Sequence, residues 1–198
     1  MAHMANKILL IQGHPDAAGG HLCHALAQAY GDAARDAGRE VRTLDVAQLD
    51  FPLLRSQHAW QDEPAPHALA PAQDDIRWAE HLVFFFPLWL GGMPALLKGF
   101  LEQVARPGFA LKRDAKNPLK AKLLQGRSAR LVVTMGMPAL VYRFYFRAHS
   151  IKALERNILG FVGIAPIDET LIGLVEAMND KTRAKWFDKL RTLGRRGA

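Results

Sequence analysis

An α/β sandwich built on one parallel sheet is the fold class that this chain of 198 residues predicts. Three observations carry the prediction. Short apolar segments suited to strands alternate with amphipathic segments suited to helices. The third apolar segment, His81-Leu82-Val83-Phe84-Phe85-Phe86, is too uniformly apolar for a half-exposed strand and reads as one covered on both faces. Glycine-rich loops follow the first and third strands and lead straight into helices.

The first strand is expected at 7–12, and a helix at 20–37 places Leu22, Ala25, Leu26, Ala29 and Ala33 on one side. A second strand is expected at 40–44. The stretch 51–71 is the least regular, with Pro52, Pro64, Pro66 and Pro71; it reads as an ordered excursion because Phe51, Leu53, Leu54 and Trp60 need burial. A helix at 71–80 and the strand at 82–87 follow. Pro94 suits a first helical turn, and Met93, Leu96, Leu97, Phe100, Leu101 and Val104 then mark one face of a helix at 93–105. Strands at 130–135 and 169–174 and helices at 148–162 and 180–193 complete the pattern. Strands linked by helical crossovers of this length pair in parallel, because right-handed βαβ units are nearly the only way to join them. The whole of 4–198 reads as one domain, and Met1-Ala2-His3 before Met4 as a cloning remnant.

Composition narrows the partners. With 49% hydrophobic and 23% charged residues the chain can bury a single core. No apolar run nears the ~18 residues that span a bilayer, so no stable membrane insertion is expected. No signal peptide precedes the first strand, and one cysteine, Cys23, excludes an internal disulfide; both fit the cytoplasm. Cys23 lies among small and apolar residues and reads as a packing thiol. The net charge of +7 raises nucleic acid as a partner. No helix-turn-helix, zinc-finger or RNA-binding signature accompanies it, and no nucleic-acid partner is expected. The charge lies in two clusters. Lys181, Arg183, Lys185, Lys189, Arg191, Arg195 and Arg196 read as a solvated face. Lys112, Arg113, Lys116, Lys120, Lys122, Arg127 and Arg130 lead toward the fourth strand and could attract the phosphates of NADPH.

The loops carry the chemistry. Gly13-His14-Pro15-Asp16-Ala17-Ala18-Gly19-Gly20 joins a strand to a helix amino end, where free N–H groups and the helix dipole form an anion site in outline. Its residue order is neither a Walker A motif nor G-x-G-x-x-G. Pro87-Leu88-Trp89-Leu90-Gly91-Gly92-Met93-Pro94 supplies an aromatic ring, two glycines and no charge, which suits a flat apolar guest that needs backbone N–H groups. A tight strand-to-helix connection would use the same residues. His14, His21 and His24 lie close together, but nothing completes a metal set with recognisable spacing, and no metal is expected. His14, just past a strand end, has a better use as a hydrogen-bond donor to a cofactor phosphate.

Gly13-His14-Pro15 and the run Phe86–Phe100 together resemble the NAD(P)H:quinone oxidoreductases of flavodoxin-like fold, a group that includes the modulator of drug activity B proteins and ancillary subunits of potassium efflux systems. The resemblance extends from Lys7 to Glu176 through Leu131–Met137 and His149–Gly163. It implies a three-layer sandwich with a five-stranded parallel sheet of order 2-1-3-4-5 and helices on both faces. It also implies a bound flavin, FAD in preference to FMN, with NAD(P)H as co-substrate.

Carried over residue by residue, the resemblance implies flavin contacts at His14, Gly20, His21, Pro87, Leu88, Trp89, Leu90, Gly91, Thr134, Met135, Gly136 and Met137. The family's phosphate-binding hydroxyl and amide are replaced here by Gly19 or Gly20 and His21. Tyr142 falls where the family has a tyrosine beside the flavin's pyrimidine edge. The family's partnering histidine aligns with Ala148, one place before His149, and a one-residue adjustment makes His149 the second catalytic candidate. Gly108-Phe109-Ala110 precedes Leu111, Lys112 and Arg113 where better-known members carry tyrosines, so only Phe109 remains as a pocket wall. The implied activity is two-electron, ping-pong reduction of a quinone-like acceptor by a homodimer, with residues 51–60 covering the neighbouring subunit. The alternative is an ancillary subunit of a potassium-efflux type transporter.

Overall fold

A computed structural model describes residues 5–113 and 121–198. Five strands, β1 (Lys7–Gln12), β2 (Glu40–Asp45), β3 (His81–Pro87), β4 (Ser128–Thr134) and β5 (Ile167–Ile172), form one parallel sheet in the order β2-β1-β3-β4-β5. The order and the layers agree with the expectation.

Alternation along the strands builds two cores, one on each face. Ile8, Leu10, Val83, Phe85 and Val132 pack with Cys23, Leu26 and Tyr30 of α1 (Leu22–Asp36) and with Leu190 of the last helix, which spans Asp180–Arg196. These two helices approach so closely that a Cβ on Gly194 would lie 2.2 Å from the Tyr30 carbonyl oxygen. Leu9, Ile11, Phe84, Phe86, Leu131 and Val133 face the other way. They meet Ile76 of a helix at Ala70–Trp78, Leu97 and Phe100 of a helix at Ala95–Val104, and Leu154 of the segment 149–162. Phe84, Phe85 and Phe86 are buried to within 1% of complete, each contributing about 1.5–3 kcal/mol.

In chain order the helices are α1, α2 (Gln57–Gln61), α3 (Ala70–Trp78), α4 (Ala95–Val104), α5 (Ala139–Phe144), α6 (His149–Ala153), α7 (Gly160–Val162) and α8 (Asp180–Arg196). Neither α2, capped by the Ser56 side chain, nor α5 is predicted by periodicity. The helix expected at 148–162 is α6 and α7 joined by a π-helical turn, Leu154–Leu159. It starts abruptly, because Arg147 and Ala148 both take left-handed backbone (φ 53° and 48°). β4 and β5 each start two residues before the expected positions. Arg130, at the expected start of the fourth strand, lies inside the sheet, where its guanidinium donates to Thr170 Oγ1 (3.1 Å) and Asp168 (3.0 Å).

Three members of the first basic cluster, Lys122, Arg127 and Arg130, are engaged by the fold itself. Arg127 donates to the Ile76 and Arg77 carbonyls at the end of α3, at the amino-terminal edge of the sheet, and Lys122 donates to the Gly160 carbonyl. Lys116 and Lys120 lie outside the described residues. The excursion before α3 is ordered, with Phe51 edge-on to Phe100 at 6.3 Å. Its expected burial holds only in part. Leu53 is 58% exposed, laying one methyl across Gly99 of α4 and turning the rest to water. Among the described residues no helix is long and apolar enough to cross a membrane.

Candidate functional site

β1 and β3 are neighbours at the centre of the sheet, and β1 is flanked by β2 on its other side. The chain order thus reverses at β1, and the loops leaving β1 and β3 bound a crevice at the carboxyl edge, the place where open α/β sheets take ligands.

The loop after β1 is ordered by its own side chains. Gln12 Oε1 accepts the His14 N–H, and His14 Nδ1 accepts the Asp16 N–H, both at 3.1 Å. With Nδ1 accepting, the proton of a neutral His14 sits on Nε2, which has no partner among the described residues. His14 is 7% exposed, and burial, followed by the nearby His21 and His24, pulls its pKa below the usual imidazole value. Asp16 accepts the Ala18 N–H at 2.9 Å and pairs with His21 Nε2 at 2.7 Å; the bond to His21 is the main reason its carboxyl titrates below the usual range. Gly19 and Gly20 take φ of 74° and 78°, with no atom within 4 Å of where a Cβ would stand. Their backbone is open to a ligand. The His21 side chain does not cap α1, which leaves first-turn N–H groups available beside them.

The three histidines stack rather than surround a point. His14 and His21 lie face to face at 3.9 Å, and His24 sits 5.3 and 5.7 Å from them. Both His24 ring nitrogens are buried without a partner among the described residues, and burial chiefly lowers its pKa. Among the described residues no group of three or more His, Cys, Asp or Glu is placed to hold a metal ion.

Trp89 joins this loop to the next, its ring meeting His14 edge-on at 5.8 Å. Pro87 is buried opposite Thr134, and the Leu88 N–H donates to the Thr134 carbonyl at 2.7 Å. Trp89 and Gly92 then exchange two backbone hydrogen bonds of 2.9 Å, closing a tight turn with Leu90 and Gly91 at its tip (φ 47° and 79°). Leu90 is fully exposed and Trp89 half-exposed.

The turn after β4 forms the third wall. Met135 donates to the Ile172 carbonyl, and Met137 accepts from Leu174. Gly136 is exposed. The Thr134 hydroxyl lies 3.1 Å from Cys23 Sγ at the start of α1. Cys23 is the packing thiol expected, 2% exposed, and burial pushes its pKa up to about 11.

Tyr142 is 2% exposed, with its hydroxyl 3.0 Å from Ser150 Oγ. Ser150 in turn faces the loop after β3, its Cβ 3.9 Å from where a Gly92 Cβ would stand. His149 is exposed and without a hydrogen bond among the described residues. Phe109 does not reach this edge. It is buried in the core under Arg77 of α3, whose guanidinium lies 4.8 Å over the ring, toward the opposite edge of the sheet. Sequence reasoning missed Ser150 and Glu176, whose carboxylate stands 3.7 Å from the Cβ position of Gly136. Ser150 beside His149 was within reach of inspection, but no local signal marks Glu176.

These residues fit a flavin. A buried imidazole with a free N–H and two open left-handed glycines suit a phosphate. An indole and a self-closed backbone turn beside them suit a flat ring. A family profile described as flavodoxin-like fold matches residues 6–193. An NAD(P)H oxidoreductase of Haemophilus influenzae is 26% identical over 179 residues, 88% of this chain and 87% of that one. An FMN-dependent NADH:quinone oxidoreductase of Ruegeria pomeroyi is 30% identical over 146 residues, 66% of this chain and 71% of that one. The crystal structure of Smu.1420 from Streptococcus mutans UA159 superposes with a TM-score of 0.75 at 27% identity, over 95% of this chain and 98% of that one.

Proposed function

Because the chain belongs to the family of flavodoxin-like fold, matched over residues 6–193, we propose that it is a flavin-dependent NAD(P)H oxidoreductase acting on quinone-like acceptors. The observation that carries this reading is the meeting of two loops: His14 of a phosphate-type loop touches Trp89 of an apolar, backbone-lined turn at 5.8 Å. FMN replaces the FAD preference drawn from the resemblance, because FMN is the flavin named for the Ruegeria pomeroyi relative.

When bound, the flavin supplies two-electron chemistry, taking a hydride from NAD(P)H and giving it to the acceptor in a ping-pong cycle. His14 Nε2, the Gly19 and Gly20 amides and the first turn of α1 hold the phosphate. Leu88–Gly91 and Met135–Met137 would flank the ring with backbone groups, and Trp89 and Leu90 would exclude water from it. Charge gathers at the ring's pyrimidine edge during turnover, and preorganised donors stabilise it there. Tyr142 positions the Ser150 hydroxyl for that purpose, and His149, the first residue of α6, supplies a proton from the solvent side.

Leu140, Val141, Phe144, Tyr145 and Phe146 lie exposed beyond Tyr142, together with Leu90. A second copy of the chain covers this surface in the reading favoured here, so sedimentation should give about twice the 22.0 kDa chain mass. A second reading, an ancillary subunit of a membrane transporter, would use the same surface for docking and would show bound flavin with little turnover. The deciding experiment is an absorbance spectrum of the purified cytoplasmically expressed protein. Mass analysis of the released cofactor and NADH or NADPH oxidation with a benzoquinone complete it. A protein that neither carries nor takes up flavin would overturn the reading.

A further inference from the structure

We propose that His24 is a further residue of the phosphate subsite, taking up a proton when a flavin phosphomonoester docks at Gly19–Gly20, so that cofactor affinity is linked to pH. The inference rests on the flavin reading above. His24 stands against the loop after β1, its ring 5.3 Å from His14 and 5.7 Å from His21. Both of its nitrogens lack a partner among the described residues, so one lone pair is free to receive a proton. His14 is the poorer acceptor, because its Nδ1 already takes the Asp16 N–H at 3.1 Å and protonation would break that bond. His21 is already engaged with Asp16 at 2.7 Å. The ring of His24 also lines a cleft of about 360 Å³, with Gln12, Gln28, Thr43, Asp45 and the ion pair of Asp32 with Arg35, which gives protons a route from solvent.

The charges around His24 set the direction. Burial and His21 disfavour its cation, while Asp45 at the end of β2 and Asp16 in the loop favour it. Without a ligand the first pair prevails and the ring is neutral at pH 7.5. A phosphate dianion beside His14 adds two negative charges to the favouring side, and a nearby opposite charge favours the imidazole cation. The proton comes from the buffer and ends on a His24 nitrogen, and no other bond changes. The phosphate itself is already a dianion at this pH, since its second pKa lies near ~6.

The test is calorimetry of FMN and of riboflavin binding to the full chain freed of flavin, at pH 7.5, in buffers of differing ionisation enthalpy. FMN binding should take up protons, at most about one per site, and its Kd should rise with pH between 7 and 8, by up to about tenfold per unit. Riboflavin, with the same ring and no phosphate, should bind without uptake, and His24→Gln should bind FMN with the uptake lost. FMN binding with no uptake would overturn the proposal and leave the flavin reading intact. Equal uptake with riboflavin, or undiminished uptake in His24→Gln, would overturn it as well, by placing the proton elsewhere. Failure of both flavins to bind would overturn the flavin reading, and the proposal with it.

Discussion

Gly173 follows β5 directly and passes beneath the turn that leaves β4. Its replacement by alanine would put a methyl group 2.4 Å from the Ala139 amide nitrogen and 2.7 Å from the Met137 carbonyl oxygen. Both are backbone atoms, so no side chain can swing aside. Ordinary contact begins at 3.4 Å, and the turn carrying Gly136 and Met137 must therefore move by about 1 Å. Overpacking of this kind costs about 1–3 kcal/mol. For a chain of this length each kcal/mol lowers the melting temperature by about 2–4 °C, so Gly173→Ala should melt about 2–12 °C below the parent. The displaced turn is a wall of the crevice, and FMN affinity, read by quenching of flavin fluorescence, should fall in step. Gly136→Ala is the control for stability. It adds the same methyl to the same turn at an ordinary 3.7 Å from Glu176 and should leave the melting temperature near the parent's. A Gly173→Ala protein that melts and binds like the parent, or a Gly136→Ala protein that loses as much stability, would refute the argument.

Gly92→Val should lower flavin content while leaving the circular dichroism spectrum and melting temperature near the parent's, because its Cβ would meet nothing closer than 3.9 Å in the fold. Tyr142→Phe removes the partner of Ser150 at a cost of about 0.5–1.5 kcal/mol. In stopped flow, flavin reduction should slow up to about tenfold with binding nearly intact. Cys23 should resist alkylation in the native protein at pH 8 and react after denaturation. Its pKa is raised from 9.0 to about 11 on folding, so its contribution to stability is complete below pH 9 and is lost as pH rises toward 11. Cys23→Ser should flatten that alkaline limb, which amounts to about 2–3 kcal/mol at most. Glu155 has its pKa raised to about 7 by burial and by the hydrogen bond and charge of Glu169. Its contribution is therefore complete below about pH 4.5 and lost through 7, and the melting temperature of Glu155→Gln should fall less than the parent's between pH 5 and 8.

Much of the fold was legible because its signals are local. The apolar continuity of Leu82–Phe86 marks a strand buried on both faces, and the glycines and prolines after β1 and β3 mark where the chain turns. Signals failed where a distant partner decides. Arg130 reads as surface charge until Asp168 and Thr170 of the neighbouring strand are placed beside it. The π-helical turn at Leu154–Leu159 leaves no trace in a helical period, because it changes the backbone bonding and not the apolar spacing. In the site, loop position alone suggests His14 and Trp89, and the resemblance adds the turn after Thr134. Glu176 and Gly173 could not be read so, since each enters through contacts between segments far apart in sequence, and Ser150 is reached only as the neighbour of His149. Phe109 shows the reverse error, a residue placed by a neighbouring motif and drawn by packing under Arg77 into the core.

The two hydrogen bonds that Trp89 and Gly92 exchange have a kinetic consequence. A turn that closes on itself loses its conformational freedom when the chain folds, and a flavin ring arriving at the proposed site would have none left to remove. Association then needs only collision in the right orientation, with no wait for a segment to settle. Differences in residence time among variants of this turn should accordingly appear in the rate of release and hardly at all in the rate of capture.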